Sequence, residues 1–209
     1  ATWKLRQYIQ GYWLDQRCPA RCTNKDLTGK VALVTGATAG GLGCAAAEHL
    51  ASRGARVVVT CRSEAKAAAA AKRVAAVALG GAAAVSTLLV DFQSPASVRE
   101  AAERFKADVG QLDILVLNAG IGTGPPDVIW QTNHVGPFLF TEALRPLLEA
   151  SATERRDARV VAVSSGGHKS ASISKTPYES HGPYGQSKLA QIMHMRELQR
   201  RTREANPSM

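Results

Sequence analysis

Hydrophobic residues in this chain fall into short unbroken runs, separated by longer segments with apolar residues at helical spacing. The runs at 30–35 (KVALVT), 55–60 (ARVVVT), 84–90, 112–117 (LDILVL) and 159–163 (RVVAV) read as five strands. They do not alternate apolar with polar, so they predict strands buried on both faces, as in a parallel sheet. Helices are predicted at 42–53 and 64–79, and a third opens at Ser94-Pro95, with Ser as cap and Pro in the first turn. A Gly/Pro loop at 120–126 leads into a long apolar helix ending near Ala150, which Pro137 and Pro146 are expected to bend. A polar loop at 164–181 precedes a last helix from Pro183 to about Arg203. The alanine run at 67–71 is low in complexity and follows from helix propensity. Strands alternating with helices of this length imply right-handed βαβ units, hence a doubly wound α/β sheet flanked by helices.

The pattern starts near Leu27. Before it, Tyr8, Ile9, Tyr12 and Trp13 repeat at helical spacing among Lys4, Arg6 and Gln10. Residues 1–26 therefore read as an amphipathic helix meeting a membrane surface through residues 3–15, or as a leader that packs on the domain. Residues 27–209 read as one domain, with no internal repeat.

Composition adds limits. The 209 residues are 45% hydrophobic and 21% charged, enough for a sizeable core. No apolar run reaches membrane-span length, and the start lacks the apolar core of a secretory signal. An intracellular protein, cytoplasmic or bound at a membrane surface, is expected. Cys18 and Cys22 have no second Cys pair or His beside them, so no metal site is expected, and all four cysteines read as reduced thiols. The net charge of +9 owes much to Arg196, Arg200, Arg201 and Arg203. Cations at a helix C-terminus complement its dipole, so this reads as a solvated face. No zinc-finger, RNA-binding or aromatic–basic pattern accompanies it, and nucleic acid is not an expected partner.

Candidate chemistry begins at Thr35-Gly-Ala-Thr-Ala-Gly-Gly-Leu-Gly43, between the first strand and first helix. Glycines let backbone N–H groups approach a pyrophosphate at the helix N-terminus, as in a Rossmann-type dinucleotide site. The competing reading is a tight turn without a ligand. The second strand ends Thr60-Cys-Arg-Ser63, without the acid that usually meets an NAD ribose. Arg62 can pair with a 2′-phosphate, so NADP(H) is expected ahead of NAD(H), unless Arg62 is only a solvent-facing loop residue. Near the end, Tyr184 and Lys188 share one helix face. An ammonium beside a phenol favours the phenolate and suits it to proton transfer.

With Asp91 after strand three, Asn118-Ala119-Gly120 after strand four, Asn133 in the long helix and Ser164-Ser165 after strand five, the set resembles the short-chain dehydrogenase/reductase family. The likeness spans about Leu27 to Arg200. The wording of 27–31, 60–63, 132–139 and 163–165 resembles the branch holding retinol dehydrogenases and the WW-domain oxidoreductase. The resemblance implies a hydride-transfer oxidoreductase acting between a nicotinamide cofactor and a carbonyl or alcohol, with lipophilic, retinol-like substrates among those it implies. It implies Tyr184 as proton donor or acceptor, Lys188 on the nicotinamide ribose, Ser165 on the substrate oxygen, and Asn133 in a water-linked relay to Lys188. Gly36, Thr38, Gly40, Gly41, Leu42, Gly43, Arg62, Asp91, Phe92, Asn118, Ala119, Gly120, Tyr184 and Lys188 would hold the cofactor, with Asp91 and Phe92 bordering the adenine. A homodimer or homotetramer through the long helix and the Tyr184 helix is implied too. Bland roles compete: the serines as caps, Asn133 as a helix-backbone partner, Tyr184 as core. His134, His168, His181 and His194 form no constellation and read as loop or surface residues.

Three departures stand out. Four residues, not three, separate Gly36 from Gly41-Leu-Gly43. The loop from Gly120 to Asn133 is short for the branch. The chain stops at Asn206-Pro-Ser-Met209, where the family continues into further strands and a substrate loop. It therefore reads as a fragment or truncated homologue lacking the C-terminal strands, and a non-catalytic cofactor-binding or interaction protein is the alternative function.

Overall fold

The computed structural model describes residues 25–152, 157–173 and 182–205. The expected N-terminal helix, Cys18, Cys22 and His181 lie outside the described residues. Among them no helix is long and apolar enough to cross a membrane.

Five parallel strands form one sheet: β1 (Val31–Thr35), β2 (Arg56–Cys61), β3 (Val85–Leu89), β4 (Ile114–Leu117) and β5 (Arg159–Ala162). Their order is β3-β2-β1-β4-β5, which is the doubly wound arrangement. Helices α1 (Leu42–Ala51), α2 (Glu64–Ala75) and α3 (Pro95–Asp108) connect the first four strands. Between β4 and β5 run α4 (Pro126–Trp130), a π-helical turn (Gln131–Val135) and α5 (Gly136–Ser151); α6 (Pro183–Ala205) closes the described chain.

Alternate residues of β1, β2 and β4 feed two cores, whereas β5, at the sheet edge, buries one face only and leaves Val161 49% exposed, so the expected burial on both faces does not hold for it. Ala32, Val34, Val57 and Val59 pack with Cys44, Ala47 and Ala51 of α1 and Ala70 and Val74 of α2. Leu33, Val58 and Leu115 pack with Val98 and Phe105 of α3 and Phe140, Leu144 and Leu148 of α5. Helices thus cover both faces of the central strands, which explains why these show no polar alternation. At the N-terminal end of the strands, buried Asp113 accepts from the Val31 N–H at 2.9 Å and from Lys30 Nζ at 3.3 Å, tying β1 to β4.

Strand boundaries lie within about two residues of those read from the sequence. Helix α2 ends at Ala75, short of the expected 79. There the Leu79 N–H bonds across to the Ala51 carbonyl and cannot continue the helix. The long helix is interrupted at the π turn, ahead of both prolines. Pro137 has no N–H to offer the Asn133 carbonyl four residues back, and the Gly136 N–H reaches the Gln131 carbonyl instead. Pro146 lies inside α5 without ending it. Arg200 and Arg201 pair with Glu197 on α6, and Arg200 also with Glu204, consistent with a solvated helix face.

Candidate functional site

The C-terminal ends of β1 and β4 lie side by side while their helices leave to opposite faces, which opens a crevice there. It is a cleft of about 530 Å³. Gly36, Thr38, Arg62, Asp91, Phe92, Asn118, Ala119 and Gly120, all expected from the sequence, line it. So do Lys66, Ile121 and Thr132, which the sequence did not single out. Lys66 had a readable signal, since it stands four residues after Arg62 in the first turn of α2.

The glycine turn is held by side chains from both strands. Asn118 Nδ2 donates to the Thr35 and Gly36 carbonyls at 3.0 and 3.1 Å. Thr35 Oγ1 accepts from the Asn118 and Ala119 N–H groups at 2.9 and 3.0 Å. Gly36 has φ +65°, and a Cβ there would lie 2.7 Å from Ala119 Cα. The additional residue is taken up in a small turn, in which the Gly41 N–H bonds to the Thr38 carbonyl at 2.9 Å. Gly41 caps α1 without any side-chain bond, so the first amides of α1 at Leu42 and Gly43 have no capping side chain. The Leu42 side chain itself is 76% exposed. These are the features a pyrophosphate needs: a close backbone approach and open N–H groups at a helix N-terminus.

One expected cofactor contact, Phe92, is placed otherwise than expected. Phe92 borders the cleft, but it is buried and its ring packs edge-on against Phe140, centroids 5.6 Å apart, which leaves little ring face for an adenine. Gly40 and Gly41 lie in the turn, and Gly43 lies in the first turn of α1.

The proton-transfer candidates stand at the next edge. Lys188 is buried, and Nζ donates to the Val163 carbonyl at 2.9 Å and lies 5.7 Å from the Tyr184 ring centroid. Burial pushes its ammonium below the ordinary lysine range. The ammonium borders the cleft through Gly120, where a Cβ would lie 3.3 Å from Nζ and 3.1 Å from Asn133 Oδ1. A side chain at 120 would press on both groups and narrow that approach. Ser165 caps the short turn Gly166–Ser170, and its Oγ accepts from the Gly167 N–H at 3.2 Å. Ser164 Oγ donates to the Lys188 carbonyl at 3.0 Å, joining the end of β5 to α6.

Asn133 is fully buried in the π turn, and its amide is occupied. Oδ1 accepts from the Ile121 N–H at 2.8 Å, while Nδ2 donates to the Ile121 carbonyl at 2.9 Å and to Ser187 Oγ at 3.0 Å. The side chain thus clamps the loop after β4 to α6. Neither the relay nor the helix-backbone reading foresaw Ser187 as its partner.

The reading of His134 and His194 as loop or surface residues is corrected. Both are half-buried, with ring centroids 6.4 Å apart, between Trp130 on one side and Phe138 on the other. Burial and the neighbouring His194 lower His134 to about 4, and burial lowers His194. A folded value below 6.5 means stability present above that pH and lost as pH falls toward 4. The ring is partly open to water, so a loss of about 1 kcal/mol is expected between pH 7 and pH 5. Urea melts at the two pH values should show it, and His134→Gln should shrink the difference; an unchanged difference would contradict the assignment.

A parallel sheet of this order, with a glycine-lined crevice at its switch point, defines the Rossmann-type α/β class. The family model for short chain dehydrogenases matches residues 30–206, and the chain belongs to that family. Dehydrogenase/reductase SDR family member 13 of Bos taurus is 36% identical over 207 residues, covering 93% of this chain and 53% of the relative. Retinol dehydrogenase 12 of Mus musculus is 37% identical over 192 residues, covering 86% and 58%. The chain falls in the retinol-dehydrogenase-like branch and spans a little over half the length of these curated relatives. Among solved structures, the Pseudomonas aeruginosa RhlG/NADP active-site complex superposes with TM-score 0.71 at 31% identity, covering 84% of this chain and 67% of that one. A metagenomic short-chain oxidoreductase in complex with NADP gives TM-score 0.70 at 28% identity, covering 86% and 79%.

Proposed function

We propose that this chain is the cofactor-binding and proton-transfer part of an NADP(H)-dependent oxidoreductase that interconverts carbonyls and alcohols of lipophilic, retinol-like substrates. The observation that carries the reading is the buried Lys188 ammonium, set between the Tyr184 ring and the Gly120 wall of the cleft. A nicotinamide cofactor supplies hydride chemistry when bound, and the protein supplies position and proton management. Lys188 would hold the ribose with the ammonium hydrogens that Val163 leaves free. Tyr184 gives the substrate oxygen its proton, and Ser165 donates a hydrogen bond to the same oxygen. Asn133 keeps the wall of the site in place through Ile121 and Ser187.

Preference for NADP(H) is supported by Arg62 and Lys66, both exposed at the cleft, and by relatives solved with NADP. Two cations suit a 2′-phosphate dianion, and among the described residues that line the cleft Asp91 is the one carboxylate. Replacing Arg62 and Lys66 together with Ala should weaken NADPH binding about 30-fold or more and leave NADH within about threefold. Calorimetric titration with the two cofactors reads this, and an equal loss for both would contradict it. Turnover is tested with NADPH and a panel of retinal, steroid ketones and aromatic ketones. The Thr38–Gly41 bond, which occupies one turn amide, favours the second reading of a cofactor-binding protein without turnover. Tight NADPH binding with no oxidation of any panel member would select that reading.

A further inference from the structure

Ser165 is held by a residue that the proposed chemistry has not used. The Ser165 carbonyl faces two donors from His168: its backbone N–H at 3.1 Å and its ring Nδ1 at 2.5 Å. A carbonyl only accepts, so the ring must carry its proton on Nδ1. Meanwhile Ser165 Oγ already accepts from the Gly167 N–H. One lone pair is thereby used, and the hydroxyl hydrogen is left to point elsewhere. The turn fixes Ser165 as a donor, which is the polarity a developing alkoxide needs.

The same turn is pressed against the start of α6. A Cβ on Gly167 would lie 3.7 Å from Ser165 Oγ and 3.7 Å from Tyr184 Cδ1, and one on Gly185 would lie 2.7 Å from the Gly167 carbonyl. Where the turn sits therefore decides where the Ser165 hydroxyl sits relative to the Tyr184 ring. Five residues of 3₁₀ helix have little intrinsic stability. Among the described residues, the His168 ring is the side chain bonded to the Ser165 carbonyl.

We propose that His168 is a positioning residue: its Nδ1–H locks the Ser165 carbonyl, and so aims the Ser165 hydroxyl at the oxygen that Tyr184 serves. This rests on the proposed roles of Ser165 and Tyr184. It corrects the reading of His168 as an unassigned loop residue.

Two measurements test it. Nitrogen-15 NMR of the folded protein at neutral pH reads the tautomer without any turnover. A His168 ring that carries its proton on Nδ1 is expected, and one protonated on Nε2 alone overturns the proposal. In NADPH-dependent reduction of all-trans-retinal, His168→Ala should lower kcat about 10- to 100-fold, with NADPH affinity unchanged. His168→Asn places an amide N–H near the Nδ1 position and should recover most of the rate, whereas His168→Gln mimics Nε2 and should not. In a Ser165→Ala background, His168→Ala should add nothing. Asn no better than Ala, or full additivity with Ser165→Ala, overturns the proposal. If the wild type binds NADPH without reducing retinal, the functional reading has failed, and the tautomer still decides the His168 contact.

Discussion

Tyr184→Phe is expected to lower NADPH-dependent carbonyl reduction by about 10³-fold, within a general acid–base range of 10² to 10⁴. The loss should fall on kcat, because the hydroxyl acts at the reacting oxygen and the ring is retained. That ring packs beside Gly167 at the start of α6, and Phe preserves the contact. Lys188 keeps its bond to the Val163 carbonyl in the variant, so the cofactor wall is undisturbed. NADPH affinity should accordingly stay within about threefold. The measurement pairs steady-state kinetics with a calorimetric titration of NADPH on the same preparation. A variant retaining a tenth or more of the wild-type kcat would remove Tyr184 from the chemistry.

Gly36→Val is expected to produce the largest loss of cofactor binding together with a loss of stability. Gly36 sits at φ +65°, a conformation that a β-branched residue resists. Its Cβ would meet the Ala119 backbone at 2.7 Å, and Ala119 cannot retreat while its N–H is bonded to Thr35 Oγ1. The chain must either part the ends of β1 and β4 or rebuild the turn. Strain and overpacking together should cost about 3 kcal/mol, lowering Tm by roughly 10 °C in a protein of this size. NADPH affinity should fall about 100-fold or more, because the turn amides lose their aim. Gly29→Ala provides the contrast. Gly29 also has positive φ (+77°), yet a Cβ there meets nothing within 4 Å. It should cost about 1 kcal/mol and leave NADPH binding unchanged. Equal effects of the two substitutions on binding would show that the turn is a structural element without a ligand.

Much of this architecture is legible in the sequence because it rests on local and one-dimensional signals. Unbroken Val/Leu runs mark strands that helices cover on both sides, and the order of strands and helices leaves few topologies open. The glycine turn, Asn118 and the Tyr184/Lys188 pair are readable because their chemistry demands fixed spacing. What the sequence hides is tertiary. Asn133 sits inside the π turn that interrupts the long helix, but its partner Ser187 lies 54 residues on. Phe92 follows the expected cleft residue Asp91, yet its ring turns to Phe140 in the core. His134 and His194 meet only once α6 packs beside the π turn. The π turn itself has a local cause in the missing N–H of Pro137, although residue periodicity alone gives no sign of it.

In the proposed function, the crevice between β1 and β4 delivers NADPH to the Tyr184 site. The direct measurement is a stopped-flow trace of NADPH absorbance after mixing NADPH-loaded protein with all-trans-retinal. The account predicts a decay that Tyr184→Phe suppresses about 10³-fold while its bound NADPH remains measurable. A decay of equal rate in wild type and Tyr184→Phe, or a folded protein that takes up no NADPH, would contradict it.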